Sequence, residues 1–335
     1  MSAAVAPRGS AAAPLLMLVA SLLFALMGVC VKWAAALYPA GEIVLYRSLV
    51  GAVLIVMMAR WRGIGLRTKL PAMHFWRSAS GVAALVLWFY ALGGLPLATA
   101  MTLNYMSSVW MALFLMCKCG FATLLIPRGG RPASAGLGAP IGGSVLLGRG
   151  AIDGRLVAVV GIGFAGVALV LRPTIDQQQL WFGVTGLLSG VLAAMAYLQL
   201  TVLGRAGEPE ERVVFYFSLG GAAVGVLTLP FTGGLTAHTP RGALLLLAIG
   251  LLAAVAQLMM TRAYTIGRTL TNATLQYSGI AFGFILGVLL FDEVVTTMAL
   301  AGMALIVVAG IGATLLRTRS VAVDTSDDGA PPTQT

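Results

Sequence analysis

The chain has 335 residues, 59% hydrophobic and only 10% charged, with a formal net charge of +10. A soluble domain carries roughly 25% charged residues, so the chain lacks the polar surface that a water-soluble fold of this length needs. The basic residues fall in short clusters between apolar runs, with no basic domain and no interleaved aromatics, which argues against a nucleic-acid partner and for a lipid bilayer.

Apolar runs near twenty residues recur from end to end, enough to cross about 30 Å of hydrocarbon as helices. In chain order the expected spans are 14–37, 42–59, 72–93, 97–116, 154–171, 181–203, 213–230, 242–262, 269–290 and 298–316. The opening MSAAVAPRGS resembles a signal peptide, but the apolar run after it outlasts an h-region of roughly 7–15 residues. An uncleaved first span after a tail of residues 1–13 is therefore expected. The closing VDTSDDGAPPTQT has too little apolar content to pack, and residues 318–335 are expected to form a disordered tail.

Lys and Arg in short loops are retained on the cytoplasmic side. With the N-terminus inside, 17 basic residues fall on the cytoplasmic side, among them Arg60, Arg62, Arg67, Lys69, Arg77, Arg205, Arg212, Arg262 and Arg317. Only Arg172 and Arg241 fall on the other, so both termini are expected in the cytoplasm. Lys32 and Arg47 lie within spans. Cys30, Cys117 and Cys119 make no disulfide framework, and the Cys117/Cys119 pair lacks the second half of a zinc site, so no metal or cofactor is expected.

The two halves repeat each other. VLYRSLVGA at 44–52 aligns with VFYFSLGGA at 214–222, an offset of 170 that matches Tyr46 with Tyr216 and Ser48 with Ser218. Further on, Thr99, Thr102, Leu103 and Tyr105 match Thr271, Thr274, Leu275 and Tyr277 at an offset of 172, with Asn104 facing Gln276. Ordered matches at nearly constant spacing point to a duplicated unit. Each unit holds five spans, an odd number, so the second enters the membrane from the opposite side. Inverted repeats of this kind are a recurring transporter construction, with the substrate held near the midplane between the halves.

YPAGEIVLYRSLVGA, YALGGLPLATAMTLNY, GFAGVALVLRP and LLFDEVVTTMALAGMALIVVAGI together resemble the drug/metabolite transporter superfamily, in its ten-span EamA-type branch, over about 14–317. The resemblance implies an all-α integral membrane permease of ten transmembrane helices in two inverted five-helix repeats, 14–172 and 181–317, in a bacterial inner membrane. It implies transport of a small metabolite, often by export, and names no cargo. Three departures stand out. The proline common in spans four and nine is missing. The acidic residue closing span four is replaced by Arg149, although Glu293 matches it in the second unit. The first unit also carries about 27 surplus residues, because the offset falls from 172 to 145 across it. The surplus, near 117–140, is either a cytoplasmic loop or an insertion or frame error in this copy of the gene, the second being favoured.

Polar side chains in lipid cost several kcal/mol each if unpaired, so the arc of Thr99, Thr102, Asn104, Tyr105 and Ser108 should face protein or a watery cavity. Asn104, Tyr105, Ser108, Gln276 and Tyr277 are candidate substrate contacts, against the plainer reading of interhelical hydrogen bonding. Arg47 could hold a substrate carboxylate, pair with Glu42 or reach the interface, while Lys32 is expected to extend to the outer interface. Trp88 could stack on a planar cargo, although Trp33, Trp88, Phe89, Tyr90 and Trp110 read mainly as packing or interface anchors. Glycines at 183, 186 and 190 and at 279, 283 and 287 read as close helix contacts, and Gly161, Gly163 and Gly166 match GxGxxG without the strand a nucleotide site needs.

No Asp or Glu lies mid-span, which disfavours cation/proton exchange and points to a neutral, zwitterionic or anionic metabolite. An intramembrane enzyme would need a nucleophile with a base or a metal set, and neither HExxH nor GxSxG occurs. A membrane scaffold or sensor would be expected to carry a sizeable soluble domain. Transport by alternating access is the leading expectation.

Overall fold

The structure is a computed structural model that describes residues 12–116, 154–171, 177–232, 234–266, 272, 275–294 and 296–327. Among these the helices are α1 (Ala12–Ala34), α2 (Ala40–Trp61), α3 (Pro71–Gly94), α4 (Leu97–Tyr105), α5 (Ser107–Met116), α6 (Gly154–Leu171), α7 (Gln177–Arg205), α8 (Glu210–Thr228), α9 (Pro240–Ile266), α10 (Ser278–Phe291) and α11 (Thr297–Asp327). A short 3-10 turn, Leu229–Phe231, extends α8, and no strand occurs among the described residues. By length and apolarity α1, α2, α3, α7, α8 with its extension and α9 can each cross a membrane.

Proline and glycine set many of the boundaries. Pro39, Pro96 and Pro209 directly precede α2, α4 and α8, while Pro71 and Pro240 open α3 and α9, where the missing N–H has no intrahelical partner to lose. At the other ends, Gly63 (φ 68) and Gly207 (φ 77) take the left-handed conformation that closes α2 and α7. The amide of Ile64 then bonds the carbonyl of Ala59, and that of Glu208 bonds Leu203, reclaiming the last carbonyls of each helix.

The span expected at 97–116 is two helices, α4 and α5, separated by a turn at Met106. The repeat-equivalent break falls at Tyr277, just before α10. Both breaks lie where the family's proline is missing, so the kink does not depend on that residue. The last helix continues to Asp327, so residues 318–327 extend α11 instead of forming the unstructured tail expected there; they contain no Gly or Pro to stop it. The proposed surplus at 117–140, Arg149 and the tail beyond 327 lie outside the described residues.

Helix packing follows the internal repeat. α1 packs on α9 and α3 on α7; α2 packs on α8, α6 on α11, and α4 on α10. Exchanging the halves turns the first pair into the second and returns the other three to themselves. The exchange holds at residue level too. A Cβ on Gly51 would lie 3.2 Å from the Ser218 hydroxyl, and one on Gly221 would collide with the Ser48 hydroxyl, so equivalent small residues let α2 and α8 approach reciprocally.

At the centre, every residue of α4 is buried. Both glycine stripes pack against it: a Cβ on Gly190 would sit 2.7 Å from the Leu103 carbonyl, and one on Gly283 would strike the Met101 sulfur. Gly163 and Gly166 of the GxGxxG match pack on Ala309 and on the Gly302 carbonyl of α11, a helix contact and not a nucleotide loop.

Candidate functional site

Where α1, α2, α3, α4, α7, α8, α9 and the segment before α10 converge they leave a cavity of about 70 Å³, lined among others by Arg47, Arg77, Trp88, Asn104, Tyr105, Tyr197, Gln257 and Gln276. Its amides are oriented by the protein. The Asn104 side chain donates to the Ser189 hydroxyl (3.0 Å), and Gln276 donates to the Tyr197 hydroxyl (3.0 Å) while accepting from Tyr264 (3.4 Å). Tyr197 and Tyr264 stack with ring centroids 5.9 Å apart. Trp88 presents a buried indole N–H that has no hydrogen-bond partner among the described residues.

The cations are the unusual part of this wall. Arg47 and Arg77 are 4% and 2% exposed, and among the described residues the Nε of Arg47 and the Nε and Nη1 of Arg77 have no hydrogen-bond partner. Both guanidinium groups stack on one ring, Phe217, at 5.2 and 4.6 Å from its centroid. A desolvated cation–π contact is worth about 2 kcal/mol, whereas removing such an ion from water costs several kcal/mol even after relaxation. Among the described residues no carboxylate pairs with either arginine. The deficit favours an anion or water in the cavity.

Five of the candidate residues, Arg47, Trp88, Asn104, Tyr105 and Gln276, line this one cavity. Ser108 and Tyr277 are buried but do not line it, and the Tyr277 ring packs against Gly310 of α11. Arg47 does not pair with Glu42, because residues five apart sit well round the helix from each other. Glu42 instead accepts from the backbone and hydroxyl of Thr236 (3.2 and 2.8 Å) and meets His238 at 3.4 Å. Arg77, counted above among the cytoplasmic cations, belongs here: α3 starts at Pro71, which puts Arg77 in its second turn, inside the bundle.

Tyr197, Phe217 and Gln257 also escaped the sequence reading. Phe217 had a usable signal, since the offset of 170 pairs it with Arg47, and Gln257 stands as a lone amide in the apolar α9.

The two ends of the bundle carry paired charges. At one end Arg62 bonds Glu211 (2.7 Å), Arg262 bonds Glu210 (3.2 Å), and Glu208 gathers Thr68 (3.1 Å), His74 (3.2 Å) and Arg212 (3.0 Å). Burial would raise the Glu208 pKa, but the hydrogen bonds from Arg212, His74 and Thr68 outweigh it and leave the carboxyl below its ordinary value. These contacts also bring 62–68 beside 208–212, on one side of the molecule. At the other end Lys32 is not extended toward an interface: it pairs with Glu293 and donates to the Leu95 carbonyl (3.0 Å). Glu293 in turn accepts the Leu97 amide (3.0 and 2.9 Å), capping α4 from across the chain. The equivalent tyrosines mark the opposite ends, Tyr216 against His74 and Tyr46 against His238.

Comparison with known proteins gives four findings. Residues 11–121 match the EamA-like transporter family. The chain is 33% identical over 297 residues to "Pseudopaline exporter CntI" of Pseudomonas aeruginosa (strain UCBPP-PA14), covering 89% of this chain and 94% of that protein. It is 26% identical over 308 residues to an "Uncharacterized transporter" of Helicobacter pylori (strain J99 / ATCC 700824), covering 88% of this chain and 92% of that one. A solved crystal structure superposes with a TM-score of 0.62 at 18% identity, over 92% of this chain and 98% of its own, a likeness of fold alone.

Proposed function

Because this chain belongs to the EamA-like transporter family, and is thus a multi-span membrane transporter of the drug/metabolite superfamily, we propose that it exports a small anionic or zwitterionic metabolite through the central cavity. The observation that carries the reading is the pair of buried arginines, without a carboxylate partner among the described residues, facing a cavity that both halves of the chain build. Intramembrane charges of this kind mark substrate pathways. The outward direction is supported by the name of the Pseudomonas relative, an exporter.

Arg47, Trp88, Asn104, Tyr105 and Gln276 form the substrate site together with Arg77, Tyr197 and Gln257. The units 14–172 and 181–317 are the two inverted halves that rock about it. A cavity of about 70 Å³ holds a few waters and is small against the roughly 300–1,000 Å³ of ordinary ligand pockets. Cargo therefore enters only when the halves part at one end. The end that gathers Arg62, Arg212 and Arg262 is the cytoplasmic one by the retention of basic loops, with both termini inside and the protein in the bacterial inner membrane.

The test compares small anionic and zwitterionic solutes inside and outside cells with and without the gene. At least one should accumulate inside when the gene is removed, and restoring the wild-type gene but not an Arg47→Gln, Arg77→Gln version should reverse it. No difference in any such solute would remove the transport reading for this class of cargo.

A further inference from the structure

We propose that the cavity reads two negative charges at once, Arg47 taking one and Arg77 the other, so that the cargo class is a dianion. This rests on the transport reading above and narrows it. Both guanidinium groups stack on the single ring of Phe217, so they lie no farther apart than the sum of their two distances to its centroid, 5.2 and 4.6 Å. That is within the reach of one small molecule. Each keeps donors without a partner among the described residues: Nε of Arg47, and Nε and Nη1 of Arg77. A guanidinium stays charged in a protein and presents a flat fork suited to a carboxylate or phosphate.

The rest of the wall supplies no compensation. Trp88, Asn104, Tyr105, Tyr197, Gln257 and Gln276 are neutral hydrogen-bonding groups, and no carboxylate lines the cavity among the described residues. The repeat does not supply one either. Phe217 stands opposite Arg47 at the offset of 170, and the positions opposite Arg77 fall within the apolar run Leu244–Ile249. The scaffold is two-fold, but both cations come from the first half. A monoanion bound at one arginine leaves the other desolvated, unpaired and close by, so each added charge on the cargo removes a penalty that a singly charged analogue leaves standing. The amides of Asn104, Gln257 and Gln276 then read the uncharged part of the molecule.

The test uses the full-length protein in lipid nanodiscs, with binding followed by tryptophan fluorescence, since Trp88 lines the site, and by the shift in melting temperature. The probes are succinate and glutarate, butyrate as the singly charged analogue, and glycerol 3-phosphate as a dianion on one phosphate. Wild type should bind a dianion at least about tenfold more tightly than butyrate. Arg47→Gln and Arg77→Gln should each bring that ratio close to one, while Arg47→Lys and Arg77→Lys, which keep the charge, should retain part of it. Preference for succinate or glutarate assigns two separated carboxylates; preference for glycerol 3-phosphate assigns a phosphate monoester; either supports the dianion.

Equal binding of butyrate and every dianion would mean that both arginines share one carboxylate, and would overturn the inference. So would an unchanged preference in Arg77→Gln protein that elutes as a single folded species. Failure to bind any dianion by protein that still drives solute export in cells would sink the inference and leave transport standing, whereas absence of gene-dependent export is the failure of the broader reading.

Discussion

The centre of the bundle and its two ends use the same charged side chains in opposite ways. At the ends, cations meet carboxylates: Arg62 with Glu211, Arg212 and His74 with Glu208, Arg262 with Glu210, Lys32 with Glu293. At the centre, Arg47 and Arg77 are more deeply buried than the lysine or arginine partners at the ends, yet they meet an aromatic ring and open space. A charge that is paired in the folded chain is accounted for by structure. One that is buried without a partner is tolerated at a cost, and the cost is recovered when something else supplies the counter-charge.

The sharpest way to break this contrast is to remove a charge from each region and compare activity with stability. Arg77→Met should lower export at least about tenfold, the scale of one lost charge-assisted contact. Its melting temperature should hold or rise, because an uncompensated buried charge has been replaced by an apolar chain of similar length. Glu293→Ala should do the reverse in stability. It strips Lys32 of its partner and α4 of its cap, for a loss of about 2–4 kcal/mol. Paired unfolding of single and double Lys32→Ala and Glu293→Ala proteins checks it: the double loss should be smaller than the two single losses added. An Arg77→Met protein as destabilised as Glu293→Ala would mean that the central arginines hold the fold together, erasing the distinction.

The helical, membrane-spanning character was legible in the sequence because lipid leaves a chain few choices, and apolar runs of span length announce themselves. The inward turn of Asn104, Tyr105 and Gln276 was legible for a related reason, since polar groups in such runs must face protein or a watery cavity; Arg47 and Trp88 line the same cavity, although interface and packing roles were open for them in the sequence. What stayed hidden depended on how a cation near a span end is counted or on pairing across the chain. Arg77 looked like a cytoplasmic cation because positive-inside counting attends to the ends of spans, although the expected span 72–93 already placed it five residues in, as deep as Arg47 in 42–59. Lys32 looked like an interfacial chain because its partner, Glu293, lies 261 residues away. The helix from 318 to 327 was missed because its polar composition was weighed for burial, while continuation of an existing helix needs only the absence of a stop.

Within the ends the contrast can be graded by pH. The Glu208 carboxyl is held below its ordinary value, so its contribution to stability is present in full above the normal carboxylate range and is lost as pH falls through the depressed value. Melting temperature should therefore decline on acidification through that window. Glu208→Gln should flatten part of the decline and, at neutral pH, cost about 2 kcal/mol by leaving His74 and Arg212 without their charged acceptor. An identical acid limb in the variant would assign the sensitivity to another group.

The smallest effect belongs to Arg262 and Glu210, whose side chains are 53% and 21% exposed. Water already solvates most of that arginine, and holding two long chains in one geometry costs entropy, so the pair is worth no more than about 0.5 kcal/mol. Arg262→Ala should shift melting by little and leave export unchanged, and raising the salt concentration should not alter the comparison. Arg262 and Arg77 carry the same formal charge, so a near-silent substitution at one and a loss of export at the other would put the difference in the partner and the solvent, not in the side chain. A large loss on removing Arg262 would show instead that this end of the bundle opens and closes through that pair.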